Sequence, residues 1–96
     1  KQLRIVFGMV DDKDIDTVMS MLPKTAKYYF TRATSKRAIP EERVKAIADQ
    51  FGLDGRAYPS VEKAYRKALD DADAEDFIFV GGSSYIVADF LSISTK

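Results

Sequence analysis

β-rich apolar runs and helical stripes alternate along this chain, and the short connections between them leave few topologies open. Residues 3–10 are near-continuously apolar, as in a strand buried on both faces. The polarity then switches at Asp11-Asp12-Lys13-Asp14, and Ile15, Val18, Met19 and Leu22 follow at helical spacing. Pro23 ends that short helix over 14–22, because proline cannot continue it. Ala26 to Thr31 is a second strand, and residues 34–39 form a polar, basic loop.

A second helix opens at Pro40, with Glu41 and Glu42 in the first turn, where carboxylates favour the helix dipole. Val44, Ile47, Ala48 and Phe51 stripe it, and Gly52 marks its end. Arg56–Tyr58 is at best a short strand. Ser60 is placed to cap a third helix striped by Val61, Ala64, Tyr65, Ala68, Leu69 and Ala72. Phe77–Val80 reads as another buried strand, and Gly81-Gly82-Ser83-Ser84 turns into a last helix carrying Ile86, Val87, Phe90 and Leu91. The order β-α-β-α-(β)-α-β-α predicts an α/β domain over residues 1–96. Its expected form is Rossmann-like, a mostly parallel sheet with helices packed on it.

Composition narrows function mainly by exclusion. Fifteen basic and fifteen acidic residues cancel, which argues against nucleic acid or an anionic membrane as the main partner, since both favour a basic excess. A local basic patch remains at Lys24, Lys27, Arg32, Lys36 and Arg37. No cysteine and no histidine occur, so thiolate zinc sites, Ser-His-Asp, Cys-His and HExxH chemistries are all excluded. No apolar run approaches the roughly 18 residues of a membrane span, so a cytoplasmic protein is expected. The chain begins at Lys1 almost directly in a strand and reads as an excised piece of something longer. There is no P-loop and no G-x-G-x-x-G after a strand.

In a parallel sheet the strand C-termini share one edge, so the turns Asp11–Asp14, Thr31–Arg37 and Gly81–Tyr85 should converge. Together they offer a lysine, two arginines, several hydroxyls and helix-start N–H groups, a set suited to a carboxylate or phosphate. Each turn also has a plainer reading: the aspartates as a helix cap, Lys13 as a surface lysine, the arginines as solvated loop residues, the glycine-serine run as a simple strand-to-helix turn. The sequence leaves undecided whether Arg32 or Arg37 faces the crevice.

The three turns resemble, in order, those of the C-terminal domain of the folylpolyglutamate synthase/dihydrofolate synthase branch of the Mur ligase family. The matching stretches are Val6-Phe7-Gly8-Met9-Val10-Asp11-Asp12-Lys13-Asp14, Tyr28-Tyr29-Phe30-Thr31 with Arg37-Ala38, Tyr58-Pro59-Ser60-Val61-Glu62-Lys63-Ala64, and Val80-Gly81-Gly82-Ser83-Ser84-Tyr85-Ile86-Val87. The resemblance implies an ATP-dependent ligase that converts a folate carboxylate to an acyl phosphate and joins it to L-glutamate. It also implies that ATP and Mg2+ are held mainly by a preceding ATPase domain, over which this one closes. By the same resemblance Lys13, Thr31, Arg37, Ser83 and Ser84 bind the incoming glutamate, supported by Asp12 and Asp14, with no catalytic residue in the chain itself.

Two departures stand out. Lys36-Arg37 replaces the Pro-Arg of many relatives, and the family's Asp-x-x-His-Asn-Pro-like turn would belong to a strand-helix unit before Lys1. The expectation is therefore a domain truncated at that unit, inactive alone, with an exposed sheet edge prone to self-association. The competing expectation is a stand-alone Rossmann-like module that binds a small anion or a partner without catalysis.

Overall fold

The computed structural model describes residues 2–10, 15–82, 86–88 and 90–91. Strands β1 (Leu3–Phe7), β2 (Lys27–Phe30), β3 (Asp54–Ala57) and β4 (Phe77–Gly81) form one sheet in the order β3-β2-β1-β4, with every pairing parallel. Helices α1 (Ile15–Met21), α2 (Glu41–Gln50) and α3 (Val61–Asp71) make the crossovers, and residues 86–88 and 90–91 are helical beyond β4. The predicted α/β class and element order hold, and the sheet is parallel throughout its described strands.

Successive strand residues face opposite sides, so the sheet sorts its own apolar residues into two layers. On one side Ile5, Phe7, Tyr28 and Phe30 pack with Ile15 and Met19 of α1 and Val44 and Ala48 of α2. On the other, Val6 and Tyr29 meet Val61, Ala64 and Ala68 of α3, together with Ile86. Ser60 caps α3, its Oγ accepting from the Lys63 N–H at 3.2 Å. The two buried alanines of α3 give it a flat face against the sheet. The winding runs one way from β1 to β3, then α3 carries the chain back to place β4 on β1's other side. That reversal makes a switch point between β1 and β4, where open α/β sheets form a crevice.

Two strands differ from the sequence-based expectation. β3 pairs with β2 across its whole length although Asp54-Gly55-Arg56-Ala57 shows no apolar alternation. It is an outer strand, and a Cβ on Gly55 would come within 2.6 Å of the Phe30 ring. β4 is not a buried strand: Phe77 is 72% and Phe79 59% exposed. β4 lies at the sheet's other margin, and these two residues register with Leu3 and Ile5, on the face that α1 and α2 cover farther across the sheet. Their hydrophobicity matches an interior strand that tertiary position has placed at the rim.

Candidate functional site at the strand ends

At the C-terminal edge of the sheet the backbone closes around Gly8. The Thr31 N–H donates to the Phe7 carbonyl at 2.9 Å, extending the β1–β2 ladder past both strands. The Ile39 N–H donates to the Met9 carbonyl at 2.8 Å, so the loop after β2 folds back on the residues leaving β1. Gly82 approaches from β4: a Cβ there would stand 2.1 Å from the Gly8 carbonyl, and its φ of 110° strains any other residue. A Cβ on Gly8 would stand 2.5 Å from the Thr31 carbonyl and 2.7 Å from Ile86 Cδ1. Absent side chains at these two glycines let the three stems meet, as the topology predicts.

The loop from Thr31 to Glu41 is described throughout. Thr31 is fully buried, and its Oγ1 has no hydrogen-bond partner among the described residues. A buried hydroxyl in that condition costs about 1–3 kcal/mol. Native folds hold few such groups, and each calls for a reason. Glu41 Oε1, at the start of α2 where the same loop ends, is likewise buried without a hydrogen bond. It faces Arg32, whose Nε is 3.3 Å away as an ion-pair partner. One loop is thus flanked, at the edge where a ligand is expected, by an unsatisfied hydroxyl and by a carboxylate oxygen held only through an ion pair.

Of the residues expected to bind, Thr31 lies in the floor of this junction. Arg37 is exposed on the loop, its backbone N–H donating to Ser35 Oγ at 3.1 Å to shape the turn. Lys13, Asp12, Asp14, Ser83 and Ser84 lie outside the described residues. Sequence reading took Glu41 only as a helix-dipole carboxylate and left Arg32 unresolved beside Arg37. The available signal was an acid at the first helical position after a basic loop, which is too common to stand alone.

The opposite edge has a different character. A cavity of about 350 Å³ opens on the α3 side, lined in part by Arg4, Lys27, Tyr29, Asp54, Lys67 and Asp71. These charges already answer one another. Arg4 Nη1 donates to the Tyr29 hydroxyl at 2.9 Å, and that hydroxyl donates to Asp71 at 2.9 Å. Lys67 sits 3.3 Å from Asp71, and Lys27 pairs with Asp54 across the strands. The buried Asp76 carboxylate accepts from the Gln2 N–H at 2.8 Å, the Asp73 N–H at 3.0 Å and Arg4 Nε at 3.1 Å. Those two backbone donors, with Arg4 adding to them, hold Asp76 far below the usual carboxylate range. Burial pushes the Tyr29 hydroxyl up to about 12. Groups so well matched gain little from a ligand, so the volume of this cavity says less than the unsatisfied Thr31 hydroxyl across the sheet.

Among the described residues no cluster of acidic side chains is placed to hold a metal ion, and the sequence has no P-loop. Among the described residues, too, no helix is long and apolar enough to cross a membrane.

Fold and junction together define a Rossmann-like parallel α/β domain with the switch point of its sheet between β1 and β4. Residues 1–84 match the family described as the Mur ligase, glutamate ligase domain, and the chain belongs to that family. The dihydrofolate synthase/folylpolyglutamate synthase of Escherichia coli K12 is 30% identical over 89 residues, which is 92% of this chain and 20% of that protein. The structure of E. coli FolC in complex with DHPP and ADP superposes with a TM-score of 0.87 at 27% identity, covering 99% of this chain and 22% of that one. A bifunctional folylpolyglutamate synthase/dihydrofolate synthase with Mn, AMPPNP and L-glutamate bound gives 0.82 at 27% identity, over 99% and 23%. The chain spans about one fifth of the length of these relatives.

Proposed function

We propose that this domain is the C-terminal, amino-acid-binding part of a cytoplasmic ATP-dependent ligase that adds L-glutamate to folates, and to dihydropteroate where the parent is bifunctional. The observation that carries the reading is the strand-end junction around Gly8, with its unsatisfied Thr31 hydroxyl, in a chain of the glutamate ligase domain family. The relative described with L-glutamate bound supports it.

In such a reaction ATP phosphorylates the folate carboxylate, the glutamate amine attacks the acyl carbon, and phosphate leaves as the amide forms. The preceding domain supplies ATP, Mg2+ and the phosphorylating groups, and this domain closes over it. The contribution of this chain is position. Lys13, Thr31, Arg37, Ser83 and Ser84, with Asp12 and Asp14 supporting the lysine turn, hold the carboxylates of glutamate so that its amine meets the acyl phosphate. Two charge-assisted contacts of about 1.5–3 kcal/mol each suffice to hold a small acid at micromolar to millimolar concentration. Holding reactants in line supplies much of the rate in reactions of this kind.

The full-length protein should release ADP from ATP only when both a folate and glutamate are present, and the 96-residue chain alone should release none. Lys13→Ala in the full-length protein should raise the KM for glutamate far more than that for ATP. Steady turnover by the isolated chain, or an unchanged glutamate KM in the variant, would contradict the assignment. The bare β4 margin gives the isolated domain a surface for self-association, measurable by sedimentation at rising concentration; a strict monomer would dismiss that part.

A further inference from the structure

Arg32 and Arg37 share one loop, but the structure gives them different surroundings. Arg32 follows directly on the buried Thr31, at the end of β2. Its side chain is half exposed, and its Nε lies against Glu41 Oε1 at 3.3 Å. Glu41 is itself only 14% exposed, held in the first turn of α2. An arginine whose Nε pairs with a largely buried acid is restrained at that nitrogen, while among the described residues its terminal NH2 groups have no partner. That planar fork matches the two oxygens of a carboxylate. The Glu41 oxygen facing it makes no aligned hydrogen bond, which is how pairs that tighten only around a substrate can look beforehand.

We propose that Arg32 is a specificity-determining residue of the amino-acid pocket, its fork taking one carboxylate of the incoming diacid, and that Glu41 is a positioning residue acting through Arg32. This rests on the glutamate-ligase reading above and adds to it the group that reads the substrate's charge. Thr31, one residue before, braces the same end of the loop. Its backbone is tied to β1, so the base of the Arg32 side chain is fixed to the sheet while its tip reaches solvent.

The test uses the full-length protein, with steady-state ADP release measured against glutamate and against ATP. Arg32→Gln should raise the KM for L-glutamate about 10- to 100-fold, the loss of one charge-assisted contact, with the KM for ATP within twofold of the parent. Arg32→Lys, which keeps the charge but not the fork, should fall between. Glu41→Gln should raise the glutamate KM several-fold with kcat little changed. The Arg32→Gln/Glu41→Gln pair should be no worse than Arg32→Gln alone, because Glu41 acts only through Arg32. A purely structural tie would instead move both KM values, kcat and the melting temperature together. A glutamate KM unchanged in Arg32→Gln, a parallel rise in the ATP KM, or additive effects in the double variant would overturn the proposal while leaving the ligase reading intact. Absence of glutamate-dependent ADP release by the unsubstituted protein would bring down both.

Discussion

The two edges of this sheet carry similar kinds of side chain and treat them in opposite ways. At the edge where the strands begin, Arg4, Tyr29, Asp71 and Asp76 form a connected set in which each polar group meets a donor or acceptor. At the edge where the strands end, Thr31 Oγ1 is buried without a hydrogen bond, Glu41 Oε1 has only its ion pair with Arg32, and backbones touch where two glycines leave no side chain between them. A satisfied network rigidifies a fold. An unsatisfied group weakens it and persists where something else requires it. The satisfied network lies where the sheet begins, and the proposed binding site lies where it ends.

The largest effect that could break this contrast is steric. Gly82→Ala forces a Cβ against the Gly8 carbonyl at a φ that alanine avoids, and should cost about 3 kcal/mol in urea unfolding. A near-neutral result would mean the strand-end stems do not meet as described.

Next comes the clamp at the strand starts. Asp76→Asn leaves the largely buried Arg4 beside a neutral group and should lower the urea midpoint. The pH dependence has a defined sign. The folded-state pKa of Asp76 is depressed, so its contribution is complete above roughly pH 4, the ordinary aspartate value, and is lost as pH falls below it. Tyr29 is raised to about 12, so its contribution is complete below the ordinary value of about 10 and is lost as pH climbs from there to 12. Urea midpoints measured across pH should therefore decline at both extremes, and Asp76→Asn should flatten the acid limb. An unaltered acid limb would detach Asp76 from acid stability.

Tyr29→Phe removes the hydroxyl that joins Arg4 to Asp71 and should cost about 1–2 kcal/mol. Thr31→Val is the sharpest comparison with it, because both substitutions delete a buried hydroxyl. It should be neutral or stabilising by up to about 1 kcal/mol, since it removes an unsatisfied group at nearly constant volume, while weakening glutamate binding in the full-length protein. Loss of stability in Thr31→Val comparable to that in Tyr29→Phe would erase the difference between the edges. The smallest effect belongs to Lys27→Ala, whose pairing with Asp54 is solvent-exposed; about 0.5 kcal/mol or less is expected, shrinking further in salt.

Much of this was legible from the chain. The alternation of apolar runs with the stripes Val44–Phe51 and Val61–Ala68, and the Ser60 cap, sufficed for a parallel α/β sheet with helices on both faces. The turns opening at Thr31 and Gly81 pointed to the junction, whereas Gly8, inside the apolar run 3–10, showed its part only in the fold. β4 was misread because Phe77 and Phe79 have the composition of an interior strand, and composition does not say which strand lies at the margin. β3 was underread because its lateral position and the packing of Gly55 under Phe30 replace the apolar pattern that would have revealed it.

Local chemistry settles secondary structure and the faces of each element, because backbone geometry ties side-chain direction to sequence spacing. The family was reached separately, through the resemblance of three turns in the same order. What local chemistry could not decide was which partner Arg32 meets, since that is an acid nine residues away brought round by a helix start. The resemblance singled out Arg37 and left Arg32 open. Only the tertiary structure sets Glu41 against Arg32, because satisfying a buried charge is a property of the packed neighbourhood and not of the chain.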